Sequence, residues 1–485
     1  MKKGQSGSRV AGGTESNWCK AARGGTGIAV LALLITKPFD VNRLQQGLNK
    51  LQNSHPILKT RLVYCNSGIE GGGTGKETGL SFLTSPTPYV KIESYSLSAT
   101  SKIIGGEGND TVSSPLQKIL EHELNQNTWR DLNTTAEGSD MFLASMYAVS
   151  ETTWVAAMRL HVAACDRTTA VTLLKELLLV MTEEEGEKEE ESKNGDPGGG
   201  LALAIEDLVP CGMAKKAIWT HGIDVLSYSV NSIRQTNLKF HDTRGKRFSQ
   251  IVRLQLNQHD TKRVLAGCKR NRIKLCGALT AAGLIAAHSS KNSSRKYGVI
   301  TFTDCRSSLD PPLSFHDFEL LIVLGAEEKS VAGFYNSAII NNHVMKGGES
   351  LWELAKKTYG AFATSKNNKK HFTDMADTNF LMCKAIDNPS LTSSSALRTS
   401  IMSVFEDAVV DDSTEMQRHV GVEDYMGCAS VHGVGPSMGI FDTIRDGGLD
   451  CVCVYPAPLH SREQMQDLVN KMKAILIEAG KTCQP

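Results

Sequence analysis

The chain has 485 residues, of which 40% are hydrophobic and 22% charged, with a net charge of +1. That length exceeds what one hydrophobic core ordinarily supports, so two domains are expected, and the composition excludes a disordered or fibrous chain. Lys and Arg are scattered, which leaves no basic stripe for nucleic acid and no electrostatic footprint for an anionic membrane.

Met1 to Thr14 is polar and Gly-rich and lacks the apolar core of a signal peptide. The apolar run Ile28 to Ile35 is far too short to span a bilayer, and no later run is long enough, so a cytoplasmic protein is expected. Gly24-Gly25-Thr26-Gly27 lacks the Lys-Ser/Thr of a phosphate-binding loop and reads as a turn. Asp40 to Gln52 reads as a helix, with Asp40 as its cap and Val41, Leu44, Leu48 and Leu51 at helical spacing. It stops before Ser54-His55-Pro56, because proline disfavours helical backbone in the residue ahead of it. Gly68 to Gly79 and Ile104 to Ser114 are Gly-rich and read as loops.

Trp154 to Leu160 is strand-like, and Thr169 to Met181 is helix-like. Between them lies His161-Val162-Ala163-Ala164-Cys165-Asp166-Arg167, and a histidine on a strand-to-helix turn is well placed for a general base. Thr182 to Gly200 is a glutamate run followed by glycines, where charge repulsion and chain entropy oppose folding. It marks a crossover linker at 182–215 between an N-terminal domain, 1–181, and a C-terminal domain, 216–485. Part of 378–435 is expected to pack with the first domain.

In the second half, Gln250 to Leu256, Val299 to Asp304 and Asp450 to Tyr455 read as strands. Thr261 to Cys268, Cys276 to His288 and Glu349 to Phe362 read as helices. Ser461 to Ala479 is the clearest helix: Ser461 and Gln464 spell a capping box, and Gly480 reads as its stop. Strands alternating with helices in both halves indicate an α/β chain. The 12 cysteines form no CxxC pair and mostly sit in apolar surroundings, as reduced core residues do. Cys165 beside Asp166 is a poor nucleophile, since a carboxylate raises a thiol pKa. His371, Asp374 and Asp377 lack a second ligand cluster, so no metal site is expected.

Several segments, in order, resemble the CoA-dependent acyltransferase superfamily, which includes chloramphenicol acetyltransferase, peptide-synthetase condensation domains and plant BAHD enzymes. Ser54-His55-Pro56-Ile57-Leu58-Lys59-Thr60-Arg61-Leu62 looks like its "hPxLRarl" stretch, and the His161 turn resembles HHxxxDG. Asp304-Cys305-Arg306-Ser307-Ser308-Leu309-Asp310-Pro311-Pro312-Leu313 is similar to "DxRxRLxPPLP". Gly333-Phe334-Tyr335-Asn336-Ser337 occupies the place of "GN", and His432-Gly433-Val434-Gly435-Pro436 resembles "DFGWGKP". Gly13-Thr14-Glu15, His371 to Asp377 and Phe441 to Gly447 resemble most the plant condensation-like proteins of that superfamily.

The resemblance implies two chloramphenicol-acetyltransferase-like mixed-sheet domains with a channel between them. A small-molecule acceptor and an acyl-CoA cosubstrate would meet there, with no bound cofactor, in a monomer serving plant specialised metabolism. It implies His161 as the general base and an Asp166–Arg306 pair fixing the loop. The motif departs from the pattern at one point. The family's base stands four residues before the Asp, and that position here is Val162; Arg167 also replaces a Gly. Successive residues of a strand face opposite ways, so His161 reaches the channel only if a one-residue bulge re-aims it. In the late turn, Val431 replaces an Asp, His432 reads as a packing or turn residue, and Gly433 and Gly435 read as backbone freedom. Three readings stay open: acyl transfer by His161, a non-acylating cyclisation or condensation enzyme reusing the channel, and a catalytically inactive binding protein.

Overall fold

The apolar run near the N-terminus becomes the inner strand Thr26–Ile35 of a five-stranded sheet in the computed structural model. The structure describes residues 7–37, 40–66, 78–105, 113–131, 138–182, 201–288, 293–313 and 331–482. Most of the two Gly-rich loops and residues 183–200 of the linker lie outside the described residues. No helix among the described residues is long and apolar enough to cross a membrane.

Across the first sheet the strands run Val422–Val431, Thr26–Ile35, Trp154–His161, Phe142–Ala148 and Ile92–Tyr95. All neighbours are antiparallel except the last pair. Its first strand comes from the second half of the chain, so residues beyond 420 complete the N-terminal sheet. Helices Val41–Ser54 and Arg167–Thr182 pack together over this half, with Leu48, Leu51, Leu174 and Leu177 in its core. Asp40 caps the first of them, accepting from the Asn42 N–H at 2.8 Å.

The second half carries a seven-stranded mixed sheet. Its main path is Asn336–Met345, Arg295–Asp304, Met402–Phe405, Gly439–Arg445, Gly448–Ala457 and Phe248–Leu256, with Val409–Asp411 beside Gly439–Arg445. Helix Leu275–Ala287 is buried at every position from Leu275 to Leu284, because Leu351–Asn367 and Arg462–Lys481 cover it. A second core centred on Leu254, Leu279, Met402 and Met472 results. The capping box at Ser461 is half-formed. The Ser461 hydroxyl accepts from the Gln464 N–H at 3.2 Å, but the Gln464 side chain donates to the Lys239 carbonyl. Gly480 does not stop this helix, which runs on to Lys481. The fold is a mixed α/β arrangement in which each half builds its own sheet and helical cover.

Candidate functional site

The strand Trp154–His161 pairs with Thr26–Ile35 without a register shift, from Ile35 opposite Trp154 to Ile28 opposite His161. There is therefore no bulge before the turn, and side chains alternate to its end. Leu160 and Val162 face a cavity between the two halves. His161 points the other way and is 0% exposed, its ring edge-on to Trp129 at 5.0 Å. Its Nδ1 accepts from the Ala163 N–H at 3.1 Å, and its Nε2 has no hydrogen-bond partner. Burial alone pushes its pKa down to about 3. The bulge that His161 would need to serve as the general base is absent: an unbroken ladder turns it into the N-terminal core, and Val162 lines the cavity instead.

At the other end of the turn, Asp166 is held on every side. Arg306 grips both carboxylate oxygens, at 2.8 and 3.0 Å. The N–H groups of Thr169 and Tyr335 donate to it at 2.9 and 2.8 Å, so it also secures the start of helix Arg167–Thr182. The Asp166 N–H bonds the Gly333 carbonyl at 3.1 Å. Arg306 is itself buried, with its ring neighbour Tyr335 at 4.9 Å. Arg167 does not compete for this pair. It crosses to Asp442 at 3.0 Å and to the Asp407 carbonyl at 2.9 Å, over the face of Phe405. Cys165 lies buried, and burial followed by Asp166 pushes its thiol up, which leaves it inert.

The late turn rests against the first strand. His432 Nδ1 and the Ser249 hydroxyl lie 3.0 Å apart, tying the end of Val422–Val431 to Phe248–Leu256. Burial, then Arg398, holds its pKa down at about 4. Gly433 is required by close approach rather than by backbone freedom: a Cβ there would lie 2.6 Å from the Gly24 carbonyl oxygen. Gly435 pairs with Arg398, and its N–H bonds the Leu397 carbonyl at 3.0 Å. Sequence reasoning missed Arg398. It is 4% exposed and donates to the carbonyls of Ala396, Val431, Gly433 and Pro436, which clamps the turn. Burial, then Arg247, lowers its pKa to about 9. No sequence pattern announces a cation whose partners are carbonyls.

The cavity opens to solvent between the two halves. Its wall is mainly apolar, including Trp18, Val30, Phe302, Phe334, Phe405 and Phe441. Each charged side chain on the wall has a partner. Asp166 has Arg306, Arg167 has Asp442, Lys175 has Asp412 at 2.5 Å, and Asp411 accepts from Ser413, Gln417 and the Tyr425 hydroxyl. Asp374 and Asp377 lie elsewhere, with Asp224, around the ammonium of Lys216. The positive charge that such a carboxylate set demands is supplied there by a lysine. His371 packs on Phe372 instead.

This geometry defines an interdomain chamber in an acyltransferase- and condensation-type fold. No family model matches the sequence, and no curated protein matches it. Solved structures do. The trichothecene 15-O-acetyltransferase of Fusarium sporotrichioides superposes with a TM-score of 0.68 at 10% identity, covering 99% of this chain and 97% of that one. The first condensation domain of the calcium-dependent antibiotic synthetase gives 0.60 at 12% identity, over 97% and 95%. The epimerization domain of the third module of tyrocidine synthetase B gives 0.58 at 11% identity, over 100% and 99%.

Proposed function

We propose that this chain binds an apolar small molecule in its interdomain chamber and does so without a histidine general base. The observation that carries this reading is the orientation of the turn: Leu160 and Val162 face the chamber, while His161 is sealed in the core. A general base must come within hydrogen-bond reach of the proton it takes, and an isobutyl or isopropyl group offers no such atom. The Asp166–Arg306 pair holds the turn in place, so the chamber wall keeps its form while the position four residues before Asp166 is apolar. Concave, mainly apolar cavities between domains are the usual home of small ligands.

A second reading is acyl transfer from a CoA thioester to a hydroxyl or amine of a small acceptor. The fold shared with an acetyltransferase and a condensation domain favours it. On that reading the chain works through proximity and orientation alone, since His161 is remote. Closeness to the plant condensation-like and BAHD groups belongs to this reading, as do the division at 181 and 215, the monomeric state and the cytoplasmic location.

Titrating the protein with a polarity-sensitive fluorescent probe tests the first reading. Ala170→Trp, which places an indole on the chamber wall, should weaken binding at least tenfold, and His161→Phe should leave it unchanged. Binding that survives Ala170→Trp and is lost in a folded His161→Phe protein would contradict it.

A further inference from the structure

The charges on the chamber wall differ in how firmly they are committed. Arg167, Ala170, Val171, Leu174 and Lys175 all line the chamber, and their spacing marks one stripe of the helix Arg167–Thr182. Along that line the charged side chains become more open to water. Asp166, just before the helix, is 0% exposed, Arg167 10% and Lys175 34%. Lys175 thus belongs to the chamber wall and to the surface at once, and it marks the mouth. Just over two turns of helix put it about 12 Å from Arg167, at the end that carries Val162.

Lys175 is also the wall charge most easily paired anew. Asp166 and Arg306 are locked together in the interior, and Arg167 is fixed by Asp442 and by the Asp407 carbonyl. Asp411 is buried, and its carboxylate already accepts from the Ser413 N–H and hydroxyl, from Gln417 and from Tyr425. Lys175 pairs with Asp412 at 2.5 Å, and Asp412 is 71% exposed. An ion pair this open to water contributes little to stability. The flexible lysine stem can therefore turn its ammonium to another anion while water takes up Asp412. Asp411 and Asp412 also limit what that anion is. Beside two carboxylates, a group with several negative charges is repelled, whereas a single charge is matched by the one ammonium.

We infer that the chamber takes an elongated amphiphile with a single carboxylate. Its apolar body lies along the helix stripe toward Val162, and its carboxylate meets Lys175 at the mouth. This ligand class rests on the reading of the chamber as a binding site for an apolar molecule, and adds the group at the ligand's outer end. Lys175 reads that group, and Asp412 competes with it for the ammonium. No bond is made or broken.

Isothermal calorimetry with three matched probes tests it: decanoate, decanol and decylamine, each below its micelle concentration and at a pH where acid and amine are both charged. Wild type should bind decanoate about tenfold tighter than decanol, as one charge-assisted contact gives, and decylamine weakest. Lys175→Met should bring decanoate down to the level of decanol, with decanol bound as in wild type, and Lys175→Arg should keep the preference. Asp412→Asn, which removes the competitor, should tighten decanoate and leave decanol unchanged. Both positions reach the surface, and an unchanged urea midpoint shows that each variant is folded. A preference for decanoate that survives Lys175→Met, or decanol or decylamine bound as tightly as decanoate by wild type, overturns this inference and leaves the chamber standing as an apolar site. Failure of wild type to bind any of the three overturns the chamber reading and this inference with it.

Discussion

The two ends of one turn are built on different principles. At Asp166, every carboxylate oxygen has a charged or backbone donor, and two domains meet through Arg306. At His161, five residues earlier, the ring is held by packing on Trp129 and a single backbone N–H, and nothing reaches it from the chamber. The polar end shapes the loop, while the end that would do chemistry has turned into the core. Shape and reactivity are therefore separable in this motif, because His161 ends the strand while Asp166 lies beyond the turn Val162–Ala164, at the start of the helix.

Breaking the polar end should have the largest effect. Arg306→Met leaves Asp166 buried without its counter-charge and should cost about 3–5 kcal/mol in urea unfolding. Gly433→Ala probes the late turn that backs the same strand. Its Cβ meets the backbone of Gly24, which cannot swing aside, and the loss should be about 1–3 kcal/mol. A wild-type-like midpoint for either variant would show that the contacts are not under tension.

The packed end should reveal itself through pH. His161 titrates at about 3 in the folded protein and near the ordinary value of about 6.5 when unfolded. Between those values the unfolded chain binds a proton that the folded chain refuses. His161 therefore contributes stability that is fully present above about pH 6.5 and declines as the pH falls toward 3. His432, held at about 4, adds a similar term over a shorter window. His161→Phe should flatten the acid limb of stability against pH by up to about 1.4 kcal/mol per pH unit. An unchanged slope would mean that the ring is protonated in the fold and is not sealed.

Much of this was legible in the residues. The helices after Asp40 and Ser461 follow from caps and 3.6-residue spacing, and they form within a few residues of the expected bounds. The Asp166–Arg306 pair is present where the resemblance to acyltransferases implies it. The strand period of two already tied the fate of His161 to that of Val162, and only the question of a bulge needed coordinates. What the sequence hid depends on contacts between distant segments. Arg398 is satisfied by carbonyls, which every residue has. Part of 378–435 is expected to pack with the first domain, but only the structure identifies the crossing segment as the strand Val422–Val431 on Thr26–Ile35.

The central claim is that the chamber keeps its shape and has Val162 where a base would stand. It is tested most directly by thioester turnover with an acyl-CoA and a small alcohol in three proteins: wild type, His161→Phe and Val162→His. Val162→His restores a histidine four residues before Asp166, on the chamber side. The account predicts equal, near-background rates for wild type and His161→Phe, and a rise toward the roughly 10²–10⁴-fold that a general base supplies for Val162→His. Robust wild-type turnover that His161→Phe abolishes, in a protein still folded, would contradict it.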